Sequence, residues 1–245
     1  MEQLTSLAQS FQEKRQPISG VVADALREAI FRGVLKRGEP LRQDAIAKQF
    51  AVSQVTVREA FRILADEGVV EIVPRRGAVV ASLSPDDVDE IIELRTALET
   101  MLLARAIPRL VEEDFVATDR IVRKLDKTRT MDEQLALNLD FHARLYAKAG
   151  RPRTLALLDK LRLAFEPYLR LLWARSDYKP HSQSDHRKIL LRCRDRDVKG
   201  AQNILASHIA KTGKEILQLL NVGEEMPAAR GGTARVAELQ GREKG

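Results

Sequence analysis

Three of the four histidines in this 245-residue chain, His142, His186 and His208, fall on the apolar stripes of separate predicted helices. Asn138 precedes His142 by one helical turn and shares a face with Leu135, Leu145 and Ala149, so both polar side chains should point inward. His186 is in register with Ile189, Leu190 and Cys193, and His208 follows Ala201 and Leu205 and precedes Thr212. A lone inward histidine is ordinarily a core residue with a hydrogen-bond partner. Three with an asparagine are harder to place that way. Imidazole is the common ligand of zinc, nickel and manganese-type divalent ions, and three imidazoles leave positions for an amide oxygen, water or an effector. Arg95 likewise interrupts a stripe of Val88, Ile92, Leu98 and Leu102. Its guanidinium fits the carboxylate of an effector, or a pair with Glu93 or Glu99 in the chain itself.

A second set of polar residues suits nucleic acid. Between Asp44 and Leu64, the residues Ile46, Ala47, Phe50, Val52, Val57, Phe61 and Leu64 are spaced to give two crossed helices one core. Ser53 caps the second helix, which presents Gln54, Thr56 and Arg58 early and outward, as a recognition helix does in a major groove. Amide and guanidinium groups can pair with base edges, so Gln54 or Arg58 suits base reading, while Ser53 and Thr56 suit phosphate. Arg42 and Arg62 extend the candidate DNA-contacting set. A predicted hairpin follows, Val69–Val73 and Ala78–Ala81, with Arg75, Arg76 and Gly77 at a tip that can reach phosphates.

The elements that must position these groups can be read from punctuation and period. Pro17 opens a helix with apolar positions from Val21 to Ile30, and Gly33 stops it. Lys36 to Pro40 reads as a turn, and Gly68 ends the second of two short amphipathic runs. Ser84-Pro85-Asp86-Asp87 combines an N-cap, a first-turn proline and first-turn acids. Beyond it no strand pattern appears, and about six helices are expected near 85–107, 111–128, 131–149, 152–176, 181–195 and 197–221, with Pro167 kinking the fourth. The fold class is therefore mainly α: a winged helix-turn-helix followed by an all-helical bundle. The expected division is an arm at 1–16, a DNA-binding domain at 17–82, a helical effector domain at 83–222, and a disordered tail at 223–245.

Composition narrows the function class. With 41 basic against 35 acidic residues the chain tolerates a polyanionic partner without requiring one. Its single cysteine, Cys193, has no disulfide partner and fits a buried apolar position in a reducing cytoplasm. No run of 18 apolar residues occurs, so no membrane partner is expected.

In these motifs the sequence resembles the GntR family. The matching residues are Gly38-Glu39-Pro40-Leu41, Val52-Ser53, Val57-Arg58-Glu59-Ala60 and Pro74-Arg75-Arg76-Gly77. It departs where Ser53-Gln54-Val55-Thr56 replaces the usual Ser-Arg-Thr-Pro and where Ala51 replaces a glycine. The later part resembles the FCD effector domain of the FadR subfamily, through Glu93-Leu94-Arg95, Leu98-Glu99, Asn138 to His142, Asp185-His186-Arg187 and Ser207-His208-Ile209. That resemblance implies the metal ligands Asn138, His142, His186 and His208, with Asn138 standing where aspartate is commoner. It also implies an effector drawn from carboxylates or sugar acids.

These readings converge on a cytoplasmic homodimeric transcription regulator, expected to repress, that binds a double-stranded operator. A small carboxylate-type effector, bound near a divalent metal, would shift a two-state equilibrium. One alternative is a metal-dependent hydrolase joined to a DNA module, since an open histidine site can activate water. Asp140 lies two residues from His142 and should face away, so no well-placed general base accompanies the histidines. The other alternative is a sequence-neutral architectural protein, which would bind operator and random DNA alike.

Overall fold

The structure is a computed structural model that describes residues 17–74, 77–174 and 178–221. The expected arm, the tail after Asn221, and wing residues Arg75 and Arg76 lie outside the described residues. Helix α1 (Ile18–Phe31) buries Val22, Leu26 and Ile30, a four-residue repeat that makes one apolar face. It packs on α3 (Gln54–Asp66), which crosses the short α2 (Gln43–Phe50) over a shared core of Ile46, Ala47, Val57, Phe61 and Leu64.

Strands β2 (Val70–Val73) and β3 (Gly77–Val80) form the expected antiparallel hairpin, with Val70 opposite Val80 and Val73 opposite Gly77. A third strand, β1 (Pro40–Leu41), pairs antiparallel to the other edge of β3, giving the order β1-β3-β2. The expected turn at Lys36–Pro40 thus runs straight into a strand. Two residues carry no period, so only tertiary pairing reveals it. Gly77 has φ +94°, and a Cβ there would lie 2.5 Å from the Leu41 carbonyl oxygen, so the junction of wing and β1 requires glycine.

Six long helices follow. Helix α4 (Pro85–Ala106) begins with a reciprocal cap: the Ser84 hydroxyl accepts from the Asp87 amide, and the Asp87 carboxylate accepts from the Ser84 amide at 2.7 Å. A 3-10 turn (Ile107–Arg109) leads to α5 (Glu112–Lys127) and α6 (Met131–Tyr146); after another 3-10 turn come α7 (Pro152–Trp173), α8 (Tyr178–Arg194) and α9 (Val198–Asn221). Pro167 is accommodated inside α7 and is buried. Helix α9 packs along α4 so closely that a Cβ on Gly213 would meet Ile92 at 2.5 Å. Cys193 is wholly buried among Ile189, Leu205 and Ile209, and burial pushes its thiol up to about 12.

The two helical modules are in contact through α7. Leu163 packs into the core of the winged helix, the Leu83 amide donates to the Tyr168 hydroxyl at 2.6 Å, and Lys160 pairs with Asp66 at 2.8 Å.

Candidate functional site

The apolar face of α6 carries Leu135, Phe141 and Leu145 inward, and His142 goes with them to 3% exposure. Helix α8 brings in His186 and α9 brings in His208, both buried. The three rings meet: centroid separations are 5.2 Å (His142–His186), 5.6 Å (His142–His208) and 5.0 Å (His186–His208). One ligand nitrogen from each lies within 4.8 Å of the others. His181, the fourth histidine, is exposed on α8.

The surroundings orient two of the rings. Tyr146 donates its hydroxyl proton to Glu99 at 2.8 Å, so its oxygen faces His142 Nδ1, 3.4 Å away, as an acceptor. His142 is then protonated on Nδ1, and its Nε2 lone pair is free. On α9, His208 Nδ1 lies 3.7 Å from Asp185, whose carboxylate also takes the Lys211 ammonium at 3.2 Å. Contact with His208 and Lys211 pulls the Asp185 carboxyl down to about 2. Burial, with the positive charge of Arg162 and the neighbouring His208 ring, holds His142 well below the usual imidazole range; burial and the two neighbouring imidazoles do the same for His186. These imidazoles are neutral at neutral pH, the state in which they can ligate an ion.

Polar atoms at this cluster lack partners. Both ring nitrogens of His186 and the Asn138 amide oxygen are buried without a hydrogen bond. Unpartnered buried acceptors are rare in folded proteins and call for an occupant. The donor set, three clustered imidazoles with an amide oxygen one turn from His142, therefore fits a divalent metal of the zinc, nickel or manganese type.

Beside the cluster lies a cavity of about 720 Å³, with Arg95, Asn138, His142 and Arg162 on its wall. Arg95 Nε pairs with Glu99 at 2.8 Å, one of the two pairings weighed from sequence, and Arg162 Nη2 pairs with the other oxygen of Glu99 at 2.8 Å. Burial alone would raise the Glu99 carboxyl, but Arg162 and Arg95 prevail and hold it down to about 2. One carboxylate thus faces two guanidiniums, whose remaining N–H groups are unpaired among the described residues. Arg162 was missed from sequence. Its signal was present: it interrupts the Leu158, Phe165 and Leu169 stripe of α7 just as Arg95 interrupts that of α4. Asp140 pairs with Arg144 at 3.2 Å and does not line the cavity.

In the winged helix, Arg42, Gln54, Arg58 and Gly77 line one concave face, together with Gln43 and Pro74. Gln43 was not singled out by sequence; its amide donates to the Gln54 carbonyl at 2.7 Å and steadies the start of α3. Ser53 caps α3 by accepting from the Thr56 amide at 3.1 Å, and its hydroxyl also engages that of Thr56 at 2.8 Å. Thr56 is consequently half-buried, less open than its position implied. Gln54 and Arg58 are exposed, and Arg58 has no ion-pair partner among the described residues. Arg62 is exposed and turns to Glu59 at 2.8 Å.

Comparison with known proteins agrees with both halves of this geometry. Residues 18–80 match the bacterial regulatory proteins of the gntR family, and residues 90–211 match the FCD domain. The HTH-type transcriptional regulator YdhC of Bacillus subtilis is 27% identical over 205 residues, 82% of this chain and 91% of that protein. The gluconate operon transcriptional repressor of Bacillus licheniformis is 28% identical over 153 residues, 61% of this chain and 63% of that one. A crystal structure of a GntR-family transcriptional regulator from Pseudomonas syringae is 30% identical, covering 84% of this chain and 86% of that one at a TM-score of 0.53. Neither the hydrolase nor the architectural alternative finds support among these relatives. The chain belongs to the GntR family, with an FCD domain behind its winged helix, and is a DNA-binding transcription regulator rather than an enzyme.

Proposed function

We propose that this regulator is a cytoplasmic homodimer that represses from an operator, and that its helical domain senses a small carboxylate beside a bound divalent metal. Asn138, His142, His186 and His208 would hold the metal, which supplies positive charge and an open position for an oxygen donor. Arg95 and Arg162 would grip the carboxylate with the N–H groups that Glu99 leaves free. The observation that carries this reading is the group of unpartnered polar atoms, on His186 and Asn138, beside a cavity lined by two half-engaged arginines. The winged helix is taken as residues 17–82 and the effector domain as 83–222. Within the former, Gln54 and Arg58 would read bases, with Arg42, Ser53, Thr56, Arg62, Arg75, Arg76 and Gly77 supporting contact along the groove and phosphates.

Elemental analysis of purified protein tests the sensor directly. The expected result is about one equivalent of a divalent metal per chain, lost in His142→Ala, His186→Ala and His208→Ala, with chelation lowering the melting temperature of wild type only. Metal-free wild type that cannot be reloaded would defeat the reading. For the reader module, Arg58→Ala should lower affinity for a DNA selected from a random pool by about tenfold or more, the worth of one bidentate base contact. Near-native affinity in a gel-shift assay would remove Arg58 from the base-reading set.

A further inference from the structure

The cavity beside the histidines does not close within the helical domain. Its inner wall is His142, Arg95 and Arg162, whose side chains are nearly buried, and its outer wall includes Asp24, Glu28 and Arg32 of α1, the first helix of the winged module. One continuous space therefore touches both the metal-binding cluster and the DNA-reading half of the protein. At about 720 Å³ it is far larger than a two-carbon acid needs and lies within the usual range for small-molecule sites.

The two ends differ in charge. At the inner end two guanidiniums face one buried carboxylate, that of Glu99, with the exposed Asp159 one turn from Arg162 also on the wall. At the outer end the balance reverses. Arg32 lies against Glu28 and, at 3.2 Å, Asp132; Arg170 contacts Asp132 and, at 3.2 Å, Glu166; Arg27 serves both Asp24 and Glu67. On the wall itself these three arginines meet four carboxylates among the described residues, Asp24, Glu28, Asp132 and Glu166, which come from α1, α6 and α7. Burial raises the Glu166 carboxyl, and the charges of Glu28 and Asp132 push it the same way against Arg170. Carboxylates therefore outnumber guanidiniums on that wall, although Arg170 Nε is a buried donor there without a partner among the described residues.

We infer that the outer half of this cavity is a subsite for a hydrogen-bond-donating tail, hydroxyl or ammonium, through which the effector touches α1 directly by way of Glu28 with Glu166 opposite. This rests on the carboxylate-sensing reading above, which supplies the inner anchor, and it adds both a ligand class and a route. The class is an acid whose far end bears donors. The route is contact: an effector long enough to reach Glu28 bears on the helix that packs against α3, whereas a short acid fills the inner end only.

The test uses zinc-loaded full-length protein and four probes: acetate, hexanoate, D-gluconate and 6-aminohexanoate. The last three have six-carbon chains and differ in donors. Calorimetry should show all four binding, with the donor-bearing acids at least about tenfold tighter than hexanoate, since a hydrogen bond to a charged group is worth roughly that much. Glu28→Gln and Glu166→Gln should each shrink that margin while leaving hexanoate affinity and zinc content unchanged. Only the donor-bearing acids should alter affinity for a DNA selected from a random pool. If the acids bind without preference for donors, or with a preference that neither substitution changes, the outer subsite is wrong while the carboxylate anchor stands. If none binds, acetate included, the anchor fails and the subsite falls with it.

Discussion

Glu99 shows how much one buried residue can organise. It is wholly buried, receives Arg95 and Arg162 on its two oxygens, and takes the Tyr146 proton that in turn fixes the His142 tautomer. Removing one partner of a buried ion pair leaves the others uncompensated, so Glu99→Ala should cost about 3–5 kcal/mol in urea denaturation and also weaken metal binding. The pH dependence follows from signs. A carboxyl held at about 2 when folded against an ordinary value near 4.5 contributes stability that is present above that ordinary value and is lost as pH falls towards 2. The histidines act earlier. Because burial holds His142 and His186 below their usual range, the unfolded chain takes up protons first, and stability declines as pH falls below about 6.5. Metal-stripped protein should therefore lose stability in two stages on acidification, and His186→Phe should reduce the upper one. A single acid limb beginning near 4.5 would show that the imidazoles are not held neutral by burial.

At the level of elements, the positions that break local rules are the informative ones. Ala51, which closes α2, sits at φ +53°, a left-handed conformation that costs a residue with a Cβ about 1–2 kcal/mol. Ala51→Gly should be neutral or stabilise by up to about 1 kcal/mol, because the strain it relieves is partly offset by greater freedom of the unfolded chain. Gly77→Ala has no such latitude. Its Cβ would run into the Leu41 carbonyl, so the wing must shift, and DNA affinity in a gel-shift assay should fall while metal content stays constant. Much of the helical architecture was legible because local chemistry states it: Pro17, Gly68, and Ser84 with Pro85 and Asp87 mark helix ends in the residues themselves. The inward histidines were legible for the same reason, since helical period alone assigns their faces. Strand β1 was not, because two residues have no period, and neither was the cavity, whose walls join Arg32 to Asp132 across 100 residues of chain.

On the scale of the molecule, α7 belongs to both modules at once. It places Arg162 in the cavity, Leu163 in the winged-helix core, and Tyr168 against the connecting segment, where the Leu83 amide donates to its hydroxyl and the Arg37 guanidinium lies 5.0 Å from its ring centre. A ligand that moves Arg162 must therefore also disturb the joint, which is the physical content of coupling between sites. Tyr168→Phe removes one hydrogen bond, worth about 0.5–1.5 kcal/mol of stability, and should leave metal and ligand binding in place. Its effect should appear instead as a smaller ligand-induced change in DNA affinity; an unchanged ratio would locate the coupling elsewhere. The burial of Cys193 has a different kind of consequence. With its thiol held up at about 12, only about one molecule in 10⁵ carries a thiolate at neutral pH, and the thiolate is the form that oxidants attack. The clustered nitrogen donors carry no sulfur either. Peroxide and disulfide stress thus find no cysteine handle on this regulator, and its output should stay constant through changes in cellular redox poise that would silence a thiol-based sensor.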